Sequence, residues 1–306
     1  SRLEGRHAHP VGEGEGDGRK MKIREITIIS GKGGTGKTSI TASLAALAPG
    51  GLALCDADVD APDLEILLHP EPREEHAFIG MDTAGVDRER CIGCGKCKEV
   101  CRFDAIEMMD GKARVDKTFC EGCAACALVC PVGCIAMEET RQGTWFMGET
   151  AWGPMVHARL NPGGENSGML VQLVRKEARK IAESRGLGTI LTDGPPGIAC
   201  PAISAITGAD VALIITEPTI SGEHDLHRVA ELCERFGTRA AVVLNKADLS
   251  AEGSERIKEA CHRNDLPLLA SIPFIPGVVH AISQARIPLA ELRERLEPIW
   301  SRLAEI

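Results

Sequence analysis

Aromatic side chains are scarce in this 306-residue sequence, at 3 %, and tyrosine is absent. A core so poor in rings is aliphatic, as suits parallel strands buried on both faces. Surplus positive charge is lacking too. The formal net charge of -9 argues against a general nucleic-acid binder, which shows a basic patch or stripe. No apolar run reaches the roughly 18 residues of a membrane span. The polar, Gly-rich start has no export-signal pattern. Residues 1–20 read as a tag remnant or disordered leader, and strand-like sequence begins at Met21. Thirteen cysteines without an export signal point to metal rather than disulfides, and to a reducing cytoplasm. The length allows one large or two ordinary domains.

The chain is organised around Ser30-Gly31-Lys32-Gly33-Gly34-Thr35-Gly36-Lys37-Thr38. A β-branched run, Ile26 to Ile29, precedes it, and an Ala- and Leu-rich segment reading as a helix over 38–48 follows. Gly31, Gly36, Lys37 and Thr38 meet the spacing G-x-x-x-x-G-K-[ST] in the strand–loop–helix context of a phosphate-binding loop. Glycines let backbone N–H groups curl around phosphate oxygens, and the helix N-terminus adds partial positive charge. The candidate nucleotide contacts are Gly31, Lys32, Gly33, Gly34, Thr35, Gly36, Lys37, Thr38 and Ser39. Lys37 would reach the β/γ-phosphates and the Thr38 hydroxyl Mg²⁺.

A second motif is built from thiols. Cys91, Cys94, Cys97 and Cys101 are followed by Cys120, Cys123, Cys126 and Cys130, with the same spacings 29 residues on. This is the bacterial two-cluster ferredoxin pattern, in which each fourth cysteine ligates the other cluster. One [4Fe–4S] cluster would use Cys91, Cys94, Cys97 and Cys130. The other would use Cys120, Cys123, Cys126 and Cys101. Zinc is the alternative, since C-x2-C pairs also bind it. Cys101 departs from the pattern, being followed by Arg102 where Cys130 has Pro131. Cys134 reads as a buried small hydrophobe, with a spare ligand as the alternative.

Lys32, in K-G-G-x-G-K-T, resembles the deviant Walker A loop of the MinD/ParA/Mrp and NifH family. The resemblance covers nearly the whole chain from Met21. It implies an ATP-dependent homodimer with nucleotide at the interface and Lys32 reaching the phosphates of the second subunit. It makes Asp56-Ala57-Asp58 switch I, with Asp58 on the attacking water and Asp56 supporting it or the Mg²⁺ shell. Asp193-Gly194-Pro195-Pro196-Gly197 resembles Walker B and switch II. Asp193 would join Thr38 and Asp58 around Mg²⁺, and Gly197 would offer its N–H to the γ-phosphate. Asn245 matches the adenine-contacting asparagine. Asn245-Lys246-Ala247-Asp248 also spells the guanine-reading motif of GTPases, so the purine stays open at this point, ATP being favoured by the loop. The family places Lys37, Lys32, Asp58 and Asp193 in catalysis.

Alternating strands and helices imply an α/β fold. The expectation is a doubly wound, mainly parallel sheet over 21–82 and 141–306, with a small α+β ferredoxin-like insert at 83–140. Trp145, Phe146 and Trp152 read as packing the insert onto the ATPase, or as a partner surface. Cys200 reads as a buried thiol, with a shared ligand across a dimer axis as the alternative. The C-terminal helix reads as docked on the sheet. The leading functional expectation is an ATPase whose nucleotide state gates electron transfer from two [4Fe–4S] clusters to a protein partner. A cluster assembly or carrier ATPase, or a spatial regulator with redox-sensing clusters, are the alternatives.

Overall fold

The computed structural model describes residues 22–162, Gly164 and 167–306. The leader expected over 1–20 lies outside them, as do Met21, Gly163, Glu165 and Asn166. The chain opens with β1 (Arg24–Ser30), α1 (Lys37–Ala46), β2 (Leu52–Asp56), α2 (Leu64–Leu68) and β3 (Glu71–Ile79). There follow β4 (Thr83–Val86), α3 (Lys96–Val100), β5 (Ile106–Met109), β6 (Lys112–Val115), α4 (Ala125–Leu128) and β7 (Ile135–Glu138). Next come β8 (Arg141–Thr150), β9 (Gly153–Leu160), α5 (Ser167–Arg185), β10 (Thr189–Pro196), α6 (Cys200–Ile206) and β11 (Val211–Thr216). The chain closes with α7 (Ile220–Arg235), β12 (Arg239–Leu244), α8 (Ala251–Arg263), β13 (Leu268–Ser271), α9 (Pro276–Ser283) and α10 (Leu289–Glu305).

Nine strands form one sheet in the order β13-β12-β11-β1-β10-β2-β9-β8-β3. It is parallel from β13 to β9 and antiparallel across β9, β8 and β3. Its central strands are near-continuous Ile, Leu, Val and Ala, buried on both faces, as parallel strands under helices must be. Gly36 takes the left-handed conformation (φ 93°) that starts α1 at Lys37. Pro49 disfavours helical geometry at Ala48, which ends α1 short of the expected Ala48.

The helix over 289–305 packs on α1: Leu292, Leu296, Ile299 and Leu303 are buried, and Trp300 Nε1 donates to Leu44 O at 3.1 Å. The aromatic segment after residue 140 is the β8–β9 hairpin. Trp145 stacks on His76 of β3 (4.1 Å between ring centres) and Phe146 on His157 of β9 (5.0 Å). These rings join neighbouring strands of the large sheet; they do not pack the insert onto it.

Between β3 and β8 the chain forms two small two-stranded sheets, β4–β7 and β5–β6. Their core is Ala84, Cys97, Ile106, Ala113, Cys126, Cys134 and Ile135. Among the described residues no helix is long and apolar enough to cross a membrane.

Candidate functional site

The phosphate loop leaves the C-terminal end of β1, where open α/β sheets bind ligands. Two glycines there are required by close approach. A Cβ on Gly31 would lie 2.2 Å from the Asp225 Cβ of α7, and one on Gly36 2.6 Å from the Asn245 amide nitrogen. Lys37 is buried at the first turn of α1. Thr35 Oγ1 is buried with no hydrogen-bond partner among the described residues. A buried hydroxyl without a partner is costly, and a phosphate-binding loop is a place where a ligand would supply one.

Asp193, at the centre of β10, is buried and faces α1. Its Oδ2 accepts from the Thr38 hydroxyl at 2.6 Å and its Oδ1 from the Thr41 hydroxyl at 2.7 Å. Thr41 went unnoticed in the sequence. The signal was available, since Thr38 and Thr41 are three apart and share a helix face. In β2, Asp56 lies opposite Asp193 in register. Asp56 is occupied by backbone: Oδ1 accepts the Asp58 N–H and Oδ2 the Leu64 N–H, both at 3.1 Å. It braces the loop after β2, in which Asp58 is half-buried and Asp60 exposed. Burial pushes Asp58 up to about 6, against the pull of Lys37 and with Asp193 and Asp60 adding to the rise. Burial also raises Asp193, opposed by Lys37 and the Thr38 and Thr41 hydroxyls. Hydroxyl, carboxylates and ammonium gathered in one low-dielectric place suit Mg²⁺ and phosphate, whose charges would relieve the crowding.

Lys32 does not extend freely. Its Nζ lies 3.1 Å from Glu217 Oε2 and 3.3 Å from both the Thr219 and Ser221 hydroxyls. The other Glu217 oxygen pairs with Lys246, whose Nζ also donates to Gly34 O at 3.0 Å. Burial alone would raise Glu217, but the Lys246 and Lys32 ammoniums hold it below the ordinary carboxylate range. Glu217 is not singled out by the sequence, and Lys246 enters there only as part of the Asn245–Asp248 run; their pairing depends on the β11–α7 and β12–α8 loops meeting the phosphate loop. Gly197 N–H donates to Ser30 O at 2.8 Å, tying the loop after β10 to β1.

Beside the loop lies a cavity of about 180 Å³, lined by Gly36, Ser39, Ile40, Asn245, Phe274, Ile275 and neighbouring aliphatics. Asn245 Nδ2 donates to Thr35 O at 2.8 Å, so its amide also holds the loop. Asp248 is not part of this lining. Its carboxylate accepts the Phe274 N–H.

In the small sheets the thiols ring two separate cavities. One is lined by Cys91, Cys94, Cys97 and Cys130, with Cys134 beside them. The other is lined by Cys101, Cys120, Cys123 and Cys126. Each draws three cysteines from one run and one from the other. Among the described residues no three His, Cys, Asp or Glu side chains converge on a point that one metal ion could occupy. Zinc needs such convergence, with every sulfur about 2.3 Å from one centre. A cubane spreads its thiolates around a larger body, and the two rings of four fit that group. Cys94 and Cys123 are exposed, Cys97 and Cys126 buried. Cys134 is buried as expected, yet its sulfur lies 3.5 Å from that of Cys130. Cys200 corrects an expectation. As the first residue of α6, beside Gly168 of α5, it is exposed.

By class this is a P-loop nucleoside-triphosphatase fold joined to an iron–sulfur module. The family described as a 4Fe-4S dicluster domain matches residues 84–137. An uncharacterised protein of Methanocaldococcus jannaschii is 35% identical over 230 residues, covering 74% of this chain and 80% of its own length. A putative septum site-determining protein MinD of Nephroselmis olivacea is 29% identical over 214 residues, covering 69% of this chain and 58% of its own length. Among solved structures, MinD of Pyrococcus horikoshii complexed with Mg-ADP superposes with a TM-score of 0.52 at 21% identity. That match covers 90% of this chain and 91% of the other. The chain belongs to the MinD-type P-loop ATPases that carry a ferredoxin domain.

Proposed function

We propose that this protein binds Mg·ATP at the interface of a homodimer and that its nucleotide state gates electron transfer to a protein partner through two [4Fe–4S] clusters. Lys37 and, from across the dimer, Lys32 hold the phosphates. Thr38 and Asp193 hold Mg²⁺, with Asp58 at its edge positioning the attacking water. Catalysis is mostly positioning and charge stabilisation. Lys32 must leave Glu217 to reach across, and Gly197 must trade Ser30 O for a phosphate oxygen. Both exchanges couple loop position to nucleotide. The commitment of Asp248 to the Phe274 backbone, outside the apolar cavity beside the loop, favours adenine over guanine. Bound at the two thiol rings, the clusters would supply one-electron transfer.

One observation carries the gating. Leu160 N–H at the end of β9 donates to Val59 O at 3.0 Å, next to Asp58. Strand β9 pairs with β8, and β8 with β3, the two strands between which the thiol-bearing segment leaves and returns. A switch I that moves with the γ-phosphate therefore pulls on the base of that segment. The test is the midpoint potential of both clusters with no nucleotide, with Mg·ADP and with a non-hydrolysable ATP analogue. A tenfold change in equilibrium, about 59 mV for a one-electron couple, supports gating; unchanged potentials and unchanged transfer rates remove it. A second reading, cluster assembly or carriage, draws on the exposed Cys200 thiol following switch II. Iron transfer to an apo-acceptor that Cys200→Ser abolishes would favour it.

A further inference from the structure

The segment between β3 and β8 is one unit built twice. Ala84 N–H donates to the Cys120 sulfur at 3.4 Å, and 29 residues on Ala113 lines the ring that holds Cys91 as Ala84 lines the one that holds Cys120. Asp87 N–H donates to Cys134 O and Asp116 N–H to Ala105 O, each at 2.8 Å. Cys134 and Ala105 therefore hold the same place in the two copies. Both are buried and each lines its own thiol ring. One ring thus has a fifth thiol where the other has a methyl group.

The fifth thiol is aimed at a ligand position. Cys134 Sγ lies 3.5 Å from Cys130 Sγ, and the Cys134 N–H donates to the same sulfur at 3.4 Å. A ligating Cys130 is a thiolate and carries no proton, so the S–H of Cys134 must be the donor. A hydrogen bond to a cluster sulfur stabilises the more negative, reduced state and raises the potential.

We propose that Cys134 separates the potentials of the two sites, raising the one ringed by Cys91, Cys94, Cys97 and Cys130, so that a single electron comes to rest there. This rests on the two-cluster reading above. The step is the exchange of one electron between the sites. One is oxidised as the other is reduced, no proton or bond is transferred, and a one-electron protein donor supplies the charge. Position gives the bias a direction. A Cβ on Gly122, beside Cys123, would lie 2.3 Å from Asp82 O, so the Cys120 ring sits against the linker to the large sheet. Gly93, beside Cys94, packs instead on Gly111 O in the turn between β5 and β6. The electron therefore settles on the site away from the ATPase. Charge also differs between the copies, with Lys98 against Ala127 and Arg102 against Pro131. Those lysine and arginine side chains are exposed and screened by salt, whereas the S–H contact is buried.

The test is an anaerobic redox titration followed by electron paramagnetic resonance on the full chain and on Cys134→Ala, Cys134→Ser and Ala105→Cys, with iron and sulfide content measured alongside. The expected result is two separated couples in the parent protein. Cys134→Ala lowers the upper couple by about 59 mV, a tenfold change in electron partition, and leaves the other in place. Cys134→Ser, which keeps a donor, retains most of the separation. Ala105→Cys moves the lower couple up, and reads out independently if Cys134→Ala fails to load iron. The proposal is overturned if fully loaded Cys134→Ala leaves both couples unmoved, or if Cys134→Ala and Ala105→Cys shift the same couple. Iron for only one cluster in the parent protein would remove the two-cluster reading, and this proposal with it. Two loaded clusters with unmoved couples would remove this proposal alone.

Discussion

In the proposed site Asp58 meets two demands with one carboxylate. Burial sets it at about 6, above the roughly 3.9 of an unperturbed aspartate. The fold therefore favours the protonated form. The stabilisation attached to that form is complete below about pH 4 and is lost as pH rises through about 6. The proposed chemistry runs the other way, because the ionised carboxylate is the stronger acceptor for the attacking water's proton. ATPase turnover is expected to fall as pH drops through about 6, and Asp58→Asn to lower it by at least about 100-fold at neutral pH. The same variant should raise nucleotide-free stability by about 1 kcal/mol at pH 8, after allowance for screening, and by nothing near pH 4. Urea unfolding at the two pH values checks the sign. Equal gains at both would show that burial is not what raises this carboxyl. Thr41 makes the complementary case. Thr41→Val leaves a lone pair of the buried Asp193 unsatisfied and should cost about 1–3 kcal/mol, read by urea unfolding, while weakening Mg²⁺-dependent nucleotide binding.

At the scale of elements, α2 links the loop after β2, the proposed switch I, to the outer strands. Asp56 holds its first N–H, and Glu65, one residue on, reaches β9. Glu65 Oε2 lies 2.9 Å from His157 Nε2, and Oε1 accepts from Arg159 Nε at 3.0 Å. Burial depresses His157, although Glu65 pulls the other way. Glu65→Gln is expected to cost about 2 kcal/mol by thermal unfolding, the worth of hydrogen bonds to a charged group. If α2 and β9 relay switch I, the variant binds ATP yet loses any effect of nucleotide on the clusters; a retained effect would route the coupling elsewhere. These outer strands are also where the sequence was least legible. Strand β3 is mostly exposed, with Glu71, Arg73, Glu74 and Glu75 in it, so it shows neither a buried run nor clean alternation. The phosphate loop and the doubled cysteine runs were legible because their chemistry demands fixed residue types at fixed spacing. Glu217 and Thr41 were not, because nothing local marks them and their partners lie 29 and 152 residues away; Lys246 was legible as part of the Asn245–Asp248 run, but its contact with Gly34, 212 residues away, was not.

Across the whole molecule the two parts are held together by different physics. The large sheet has three extensive aliphatic cores. The small sheets share one core of seven buried residues, three of them cysteines, and a region that size rarely holds without a staple. Metal binding there is folding free energy, whereas β3 and β8, from which the segment springs, are registered against each other from Glu71 with Glu149 to Ile79 with Arg141. Removing iron with an oxidant and a chelator is therefore expected to unfold residues 83–138 alone. Limited proteolysis should cut within that span. Heat unfolding of the remainder should stay cooperative, and ATP binding should persist because Lys37, Thr38 and Asp193 lie wholly in the large sheet and α1. Any influence of nucleotide on that span would then vanish while affinity survives. Loss of ATP binding along with the iron would instead mean that the thiol-bearing segment supports the phosphate loop directly, and that the two halves fold as one.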